Sequence, residues 1–406
     1  MNERREMKIL LLNAGSSSLK ASLMESANGE EVMRGLADWA GSETHYEYAG
    51  PDEKKRSEGV RWRGHAKAVE RFIADLGKEQ RSVLAAVGHR GVHGGQFTSS
   101  VRITPEIRSR ITALADLAPL HNPPSLEALA AAEAELPTVP HVAVFDTAFH
   151  ATIPPEARTY PVPETWTRDW GIRRYGFHGL SHAYCAHRAE EMMASLASRP
   201  STRDIRLVVC HLGHGCSASA VRGGRCVDTT MGFTPLEGLM MATRSGSIDP
   251  SIVLHVQQHH GLTPEQVETV LNRDSGLLGV SGVSADMREV LAAAKSGHLQ
   301  ARLALGIFAH RVRQAVGALA VTMGGVDALV FTAGVGEHAA DIRASACERL
   351  QCLGLELNEQ ANAACRPDAD VARPGSRGRI FVIATREDVT MLREVVRVLA
   401  DRPNTQ

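Results

Sequence analysis

The sequence predicts an α/β protein built from two duplicated α/β domains with mixed sheets flanking an interdomain cleft, and three observations carry that expectation. A short apolar run, Lys8–Leu12, is followed by a Gly/Ser turn (Asn13–Ser18), a second strand (Leu19–Met24) and the hairpin signal Asn28-Gly29. About 200 residues later the order repeats: Ile205–Cys210, the turn His211–Ser217, Ser219–Val221, then Gly223-Gly224 before Arg225–Asp228. Between the two blocks helical and strand patterns alternate, which favours α/β layering over segregated classes.

The intervening elements follow from local signals. Ser125 is the expected N-cap of a helix over Leu126–Leu136, with Pro123-Pro124 before it and Pro137 after it. Val142–Phe145 reads as a buried strand ending at Asp146. Ala301–Met323 has helical periodicity, and Ala328–Phe331 is a strand running into the glycine loop Thr332–Gly336. Pro51–Gly59, Ala197–Asp204 and Arg366–Arg379 are charged, carry Pro or Gly, and read as solvated loops. Residues 1–150 with 389–406 form the expected first domain, and 151–388 the second, with a C-terminal helix returning to the first.

Composition narrows the function. The 406 residues are 43% hydrophobic and 22% charged, and 45 Lys+Arg against 46 Asp+Glu give a net charge of −1. That balance argues against a nucleic-acid binder. The longest apolar candidate, from Val316, is interrupted by Thr322 and Gly324-Gly325 and meets Asp327, short of the roughly 20 residues that span a bilayer. Met1–Lys8 is mixed in charge, and Ile9–Leu12 is too brief for a signal-peptide core. Seven cysteines without a CxxC pair fit free thiols in the cytoplasm.

The glycine loops are the main chemical signal. No GxxxxGK[ST] is present. Gly213-x-Gly215-x-x-Ala218 and Gly334-x-Gly336-x-x-Ala339 imitate a dinucleotide fingerprint, but after Gly213 only a hairpin fits before Gly223, where that fold requires a helix. Three small-residue loops, each after a strand, instead suit backbone cradles for phosphate. They could also be simple tight turns.

Arg90, His121, Asp146-Thr147, His178 and Arg244 stand in Gly-rich or apolar settings. Taken singly, each has an ordinary explanation as a surface ion pair or a satisfied core histidine. His178-x-x-x-His182 and His89-x-x-x-His93 have the spacing of helical zinc ligands, but neither carries the Glu of HExxH, and their glycine neighbours argue against helices there. Cys210, His211, His214 and Cys216 cluster, yet Cys210 and His211 face opposite sides of a strand. No GxSxG elbow supports a serine hydrolase.

Together these stretches resemble the acetate kinases of the actin-like/sugar-kinase ATPase superfamily. The similar segments are NAGSSSLK (13–20), GHRGVHGG (88–95), LAPLHNP (117–123), FDTAFH (145–150), RRYGFHGLSH (173–182) and CHLGHG (210–215). DTTMGFTPLEGLMMATRSGSIDP (228–250), SGVSADMRE (281–289), FTAGVGEH (331–338) and TRED (385–388) continue the match in family order. The resemblance implies two actin-like (ribonuclease H-like) domains and reversible transfer of the ATP γ-phosphoryl group to acetate, giving acetyl phosphate and ADP. It further implies Mg²⁺, for which Mn²⁺ could substitute, and a homodimer.

By resemblance, Arg90 holds the acetate carboxylate, with Val92, Leu120, His121, Phe177 and Pro235 around the acetate. Asp146, His178 and Arg244 are catalytic, and Asn13 and Glu387 hold the metal. Lys20, His211, Leu212, Gly213, His214 and Gly215 contact ATP phosphates. Asp286, Met287, Arg288, Gly334, Val335, Gly336, Glu337 and His338 line the adenosine pocket.

A carboxylate with a pKa near 4 is ionised at pH 7, so no strong base is needed and the problem is bringing two anions together. For that reason Asp146 is read as an orienting or metal-supporting group rather than a proton carrier. A methylene discriminates by only about 1–3 kcal/mol, so propionate is an expected substrate. The family usually has Asn at His214, His338 and Arg386, Thr at Leu180, Gly at Ala242 and Asp at Ser247. His214 bears on the choice of phosphoryl donor. A pyrophosphate donor is the alternative, but the small Gly334 and Val335 leave room for adenine and favour ATP. A regulatory nucleotide-binding protein without turnover is the reading from another class.

Overall fold

A computed structural model describes residues 7–50, 55–114, 122–196 and 204–401. The chain forms two compact units, one reaching Phe149 and resuming at Arg386, the other spanning His150–Thr385.

The first unit is built on eight strands: β1 (Lys8–Ala14), β2 (Ser18–Glu25), β3 (Glu31–Asp38), β4 (Thr44–Ala49), β5 (Arg56–Val60), β6 (Leu84–Gly91), β7 (Val101–Arg102) and β8 (His141–Phe145). Their order is β5-β4-β3-β2-β1-β6-β8-β7. The sheet is mixed: β1, β6 and β8 are parallel, while β1 to β5 form an antiparallel meander. Covered on both faces, β1 is a continuous apolar run with Ile9–Leu12 at most 2% exposed. β4 alternates instead, burying Tyr46 and Tyr48 and exposing His45. The helix His65–Asp75 lays Val69, Phe72 and Ile73 against this sheet. Phe72 comes so near β3 that a Cβ on Gly35 would lie 2.3 Å from its ring.

The second unit has β9 (Arg206–Leu212), β10 (Cys216–Arg222), β11 (Arg225–Thr229), β12 (Ala328–Thr332), β13 (Ala369–Asp370) and β14 (Arg379–Val382), in the order β11-β10-β9-β12-β14-β13. Again the first three strands are antiparallel neighbours, and the first pairs in parallel with a fourth, which pairs in parallel with a fifth. The core arrangement β3-β2-β1-β6-β8 therefore recurs as β11-β10-β9-β12-β14. Each copy even ends in a two-residue antiparallel edge strand, β7 or β13. The predicted mixed α/β architecture, with its internal duplication, is what the backbone adopts. The helix Leu299–Thr322 packs on β9 and β10 and on neighbouring helices, and it buries Ala301, Ala304, Phe308, Val312, Val316 and Leu319, spaced three or four residues apart. Among the described residues, no helix is long and apolar enough to cross a membrane.

Several local expectations are corrected. The helix expected behind a Ser125 cap runs Asn122–Glu135, placing Pro123 and Pro124 in its first turn, where a missing N–H costs nothing. Part of the expected loop at Pro51–Gly59 is β5, an exposed edge strand that leaves no hydrophobic alternation to read; 51–54 lie outside the described residues. Arg366–Arg379 contains β13 and the start of β14. Of Ala197–Asp204, only Asp204 is described. The turn expected over His211–Ser217 shrinks to Gly213–Gly215, because β9 and β10 pair to Leu212 and Cys216. Glycine does not keep His182 out of a helix: Gly179 opens the helix Gly179–Ser195, with His178 as its N-cap.

The second unit encloses an uncharged histidine that ties its elements together. His150 Nε2 hydrogen-bonds the carbonyl of Phe177 at 2.9 Å, and its Nδ1 lies 3.1 Å from Cys226 Sγ on β11. Burial pushes the ring pKa down from 6.5 to about 4. The unfolded chain therefore binds a proton that the folded one refuses. This stability is intact above pH 6.5 and is lost as pH falls towards 4, by roughly 3 kcal/mol in full. Urea unfolding at pH 7.5 and 5.0 should show a steeper loss for the wild type than for His150→Gln, and equal slopes would refute the assignment.

Candidate active site

In the first unit the parallel strands bring their C-terminal ends together. β1 ends near Asn13, β6 carries Arg90, and Asp146 directly follows β8, opening the 3-10 helix Asp146–Thr152. In open α/β sheets this edge is the usual place for ligands. The helix Glu387–Ala400 packs on β1, β6 and β8 and delivers its first residue, Glu387, to the same edge.

Arg90 joins the other three residues. Its Nε and Nη2 donate to the two carboxylate oxygens of Asp146 at 3.2 and 2.7 Å. Nη1 donates to Glu387 Oε2 at 2.9 Å and to Asn13 Oδ1 at 3.1 Å. Asn13 Nδ2 in turn donates to Glu387 Oε2 at 3.4 Å. Burial alone would lower the guanidinium pKa, but Asp146 and Glu387 hold it above its ordinary value. Asp146 is 1% exposed, and the fork sets an opposite charge against its carboxylate. Next in the chain, Val92 is half-buried and the Gly94 N–H donates to Thr147 Oγ1 at 3.0 Å. Lys20 is exposed on β2, opposite Asn13 in register. Leu120 and His121 lie outside the described residues.

In the second unit the turn between β9 and β10 closes tightly, with Gly213 N–H donating to Gly215 O at 3.1 Å. A Cβ on Gly215 would lie 3.3 Å from His178 Nε2 and 3.5 Å from Arg244 Nη1. His178 has φ 57°, an αL conformation unusual for a side chain with a Cβ, and its ring stacks on that of His211 at 4.2 Å. Leu212 is buried, while His214 is exposed and its carbonyl accepts from Ala242 N–H. Loss of hydration, then the charge of Arg244, lowers the His214 pKa, which keeps that ring neutral near pH 7.

Arg244 is held by its backbone. Ser275, Leu277 and Leu278, at the start of the helix Gly276–Ser281, donate N–H groups to the carbonyls of Thr243, Met241 and Ala242 at 2.9–3.0 Å. Gly276 is needed there, since φ is 63° and a Cβ would lie 2.2 Å from Met241 O. The Arg244 guanidinium donates to Pro235 O at 3.2 Å and, among the described residues, pairs with no carboxylate. Among the described residues its half-buried charge is uncompensated, and it sits against Gly215 of the turn, which is the arrangement of an anion site.

The stretch expected as a glycine loop at 334–338 is corrected: it is helical, over Ala333–His338, because β12 leads straight into it through Ala333 at φ 64°. Glu337 Oε1 accepts from the N–H groups of Ala333 and Thr385 at 2.9 and 3.1 Å, so this carboxylate caps the turn. The buried Arg343 donates to the carbonyls of Gly336 and Glu337 at 2.9 and 2.8 Å and to Asn362 Oδ1 at 2.7 Å. Gly334 and His338 are exposed, Val335 is half-buried, and a Cβ on Gly334 would meet nothing within 4 Å. Asp286 caps a separate helix, Met287–Lys295, and the Arg288 side chain beside it holds its carboxyl down to about 2. Among the described residues, no hydrogen bond joins Asp286, Met287 or Arg288 to 334–338. Phe177 is buried, 1% exposed.

Sequence reasoning missed Arg343, Asn362, Ser181 and Ser217. All four are buried polar residues whose partners are distant in sequence or on another element, so no local motif announces them. His182 was weighed only as a zinc ligand. Instead, its Nε2 lies 2.7 Å from Ser217 Oγ.

Residues 8–393 match the model of the acetokinase family. The chain is 45% identical to the acetate kinase of Gloeobacter violaceus over 405 residues, covering 96% of this chain and 98% of that one. It is also 45% identical to the acetate kinase of Deinococcus radiodurans, covering 98% and 99%. Among solved structures, Porphyromonas gingivalis acetate kinase superposes with a TM-score of 0.88 at 36% identity, over 97% of this chain and all of that one. A propionate kinase from Francisella tularensis superposes with a TM-score of 0.88 at 37% identity, over 96% and 98%. With the family model spanning nearly its whole length and relatives this similar over almost all of theirs, the chain belongs to the acetokinase family.

Proposed function

We propose that this protein is an ATP-dependent kinase that reversibly transfers the γ-phosphoryl group to acetate by direct in-line attack of the carboxylate, giving acetyl phosphate and ADP. The observation that carries the reading is the uncompensated Arg244 guanidinium, set with His178 Nε2 against the Gly213–Gly215 turn. Phosphoryl transfer to an anion needs positioning and charge neutralisation more than proton removal. A guanidinium about 4 Å from an anion contributes on the order of 4 kcal/mol at an effective dielectric of 20. In this reading Arg244 and His178 stabilise the transferring group, and Arg90 receives the acetate carboxylate with Val92, Leu120, His121, Phe177 and Pro235 about it. The nucleotide lies on Lys20, the 211–215 turn, Asp286–Arg288 and 334–338.

Asp146 accepts both arms of the Arg90 fork, which supports an orienting role over proton transfer. Asn13 and Glu387 suit Mg²⁺: both are hard oxygen donors already drawn together at Arg90, and this ion uses one or two carboxylates and completes its shell with water and phosphate. Bound there, Mg²⁺ or Mn²⁺ would neutralise charge on the phosphates.

Propionate is the second reading, favoured by the equally close superposition of a propionate kinase. A cytoplasmic location belongs to the proposal and is supported by seven free cysteines, five of them buried. So does a homodimer, supported by the helix Pro250–His260, which buries none of its residues and exposes Ile252 and Leu254. Light scattering should return twice the chain mass; a monomer at micromolar concentration would refute the dimer.

Hydroxamate trapping with Mg-ATP should give acyl phosphate from acetate, less from propionate and least from butyrate, with none when pyrophosphate replaces ATP. Arg244→Ala should lower kcat about 100- to 1,000-fold, in the range found for loss of one transition-state donor. No acyl phosphate from any acid, despite ATP binding, would sink the kinase reading in favour of a regulatory one. Arg90→Ala removes the guanidinium that pairs with the buried Asp146 carboxylate and should cost about 3–5 kcal/mol in denaturant unfolding. A loss under about 1 kcal/mol, the value of an exposed pair, would show that the cluster is solvated.

A further inference from the structure

We propose that His182, acting through Ser217, fixes His178 as a neutral imidazole with its proton on Nε2, where it serves as a hydrogen-bond donor to the transferring phosphoryl group. The inference rests on the phosphoryl-transfer reading for its consequence, but its geometry lies entirely within the second unit.

Ser217 on β10 is fully buried, and its Oγ lies 2.9 Å from His178 Nδ1 and 2.7 Å from His182 Nε2. A hydroxyl has one proton, so it donates to one imidazole and accepts from the other. His182 decides which. It is 0% exposed, and among the described residues its Nδ1 has no hydrogen-bond partner. A proton on that nitrogen would leave a buried N–H unsatisfied, which is rarer and costlier than a bare acceptor. The His182 proton therefore sits on Nε2 and is donated to Ser217. The Ser217 hydroxyl then donates to His178 Nδ1, and the His178 proton is left on Nε2. That nitrogen faces the turn, 3.3 Å from the Cβ position of Gly215.

The relay also resists protonation of His178. A second proton at Nδ1 would reverse the Ser217 hydroxyl and drive the His182 proton onto its orphan Nδ1. Burial, with the His150 and His211 rings nearby, keeps His182 itself from taking up an extra proton. Arg244 thus supplies the full positive charge and His178 a directional donor. With its Nε2 lone pair used by the N–H bond, His178 is not a nucleophile towards phosphorus. Ser217 and His182 touch no substrate in this account and are positioning residues.

The test combines a tautomer measurement with kinetics. In protein carrying ¹⁵N-labelled histidine, long-range ¹H–¹⁵N correlations, assigned with His178→Gln, should show His178 protonated at Nε2. Ser217→Ala should convert it to a mixture of tautomers and lower kcat about 10- to 100-fold, the usual cost of losing an orienting partner, with both KM values within about threefold. His182→Gln retains an N–H near the position of Nε2 and should stay within about threefold of wild-type kcat, whereas the apolar His182→Met should match Ser217→Ala. Thermal unfolding checks that each variant is folded. A wild-type His178 protonated at Nδ1, or a folded Ser217→Ala protein with unchanged tautomer and kcat, would overturn the proposal. The Nε2–H tautomer in a wild type that forms no acyl phosphate would instead overturn the kinase reading and leave the relay standing.

Discussion

Much of the first unit depends on one guanidinium. Arg90 reaches the ends of β1 and β8 and the first turn of the C-terminal helix, so residues as distant in sequence as Asn13 and Glu387 become neighbours. A buried ion cluster of this kind adds little net stability over an apolar equivalent, because desolvation offsets the attraction. It contributes geometry. Each carboxylate and the amide have one low-energy orientation while the fork is in place. A site built on three parallel strand ends and a helix start is also more rigid than one built on loops.

The second unit solves a different electrostatic problem. Among the described residues Arg244 has no carboxylate to hold it, and its position is secured through backbone: the N-terminus of a short helix grips the carbonyls of residues 241–243, and Gly276 permits the approach. The cost of a half-buried cation is thereby borne by the fold. Arg343 is buried and gives its donors to the carbonyls of Gly336 and Glu337 and to Asn362, which ties down the helical turn at 334–338. The three arginines therefore differ in what surrounds them: Arg90 is paired with carboxylates, Arg244 meets the Pro235 carbonyl, and Arg343 is bonded to carbonyls. His178 belongs with Arg244, and its strained backbone is maintained by the helix it caps and by the serine–histidine pair beneath its ring.

The strands and their repetition were legible because fully covered parallel strands are unbroken apolar runs, and turn signals such as Asn28-Gly29 and Gly223-Gly224 punctuate the chain. The edge strand β5 and the start of the helix at Asn122 were not. An exposed strand has no apolar face, and proline in a first helical turn looks locally like a break. Candidate site residues were legible where an ionisable or small residue sat in an unlikely context, as with Arg90, Asp146, His178 and Arg244. Ser217, Ser181 and Asn362 were invisible, since a serine or asparagine inside a regular element carries no local signal of its partner.

By itself, the sequence determined the element types, the duplicated order and the inventory of charged groups, since these follow from periodicity and residue chemistry along the chain. Only the tertiary structure decided how those groups are used. Whether an arginine is neutralised or left open to an anion, and which nitrogen of a histidine carries its proton, depend on burial and on hydrogen bonds between residues far apart in sequence, and no local pattern encodes them.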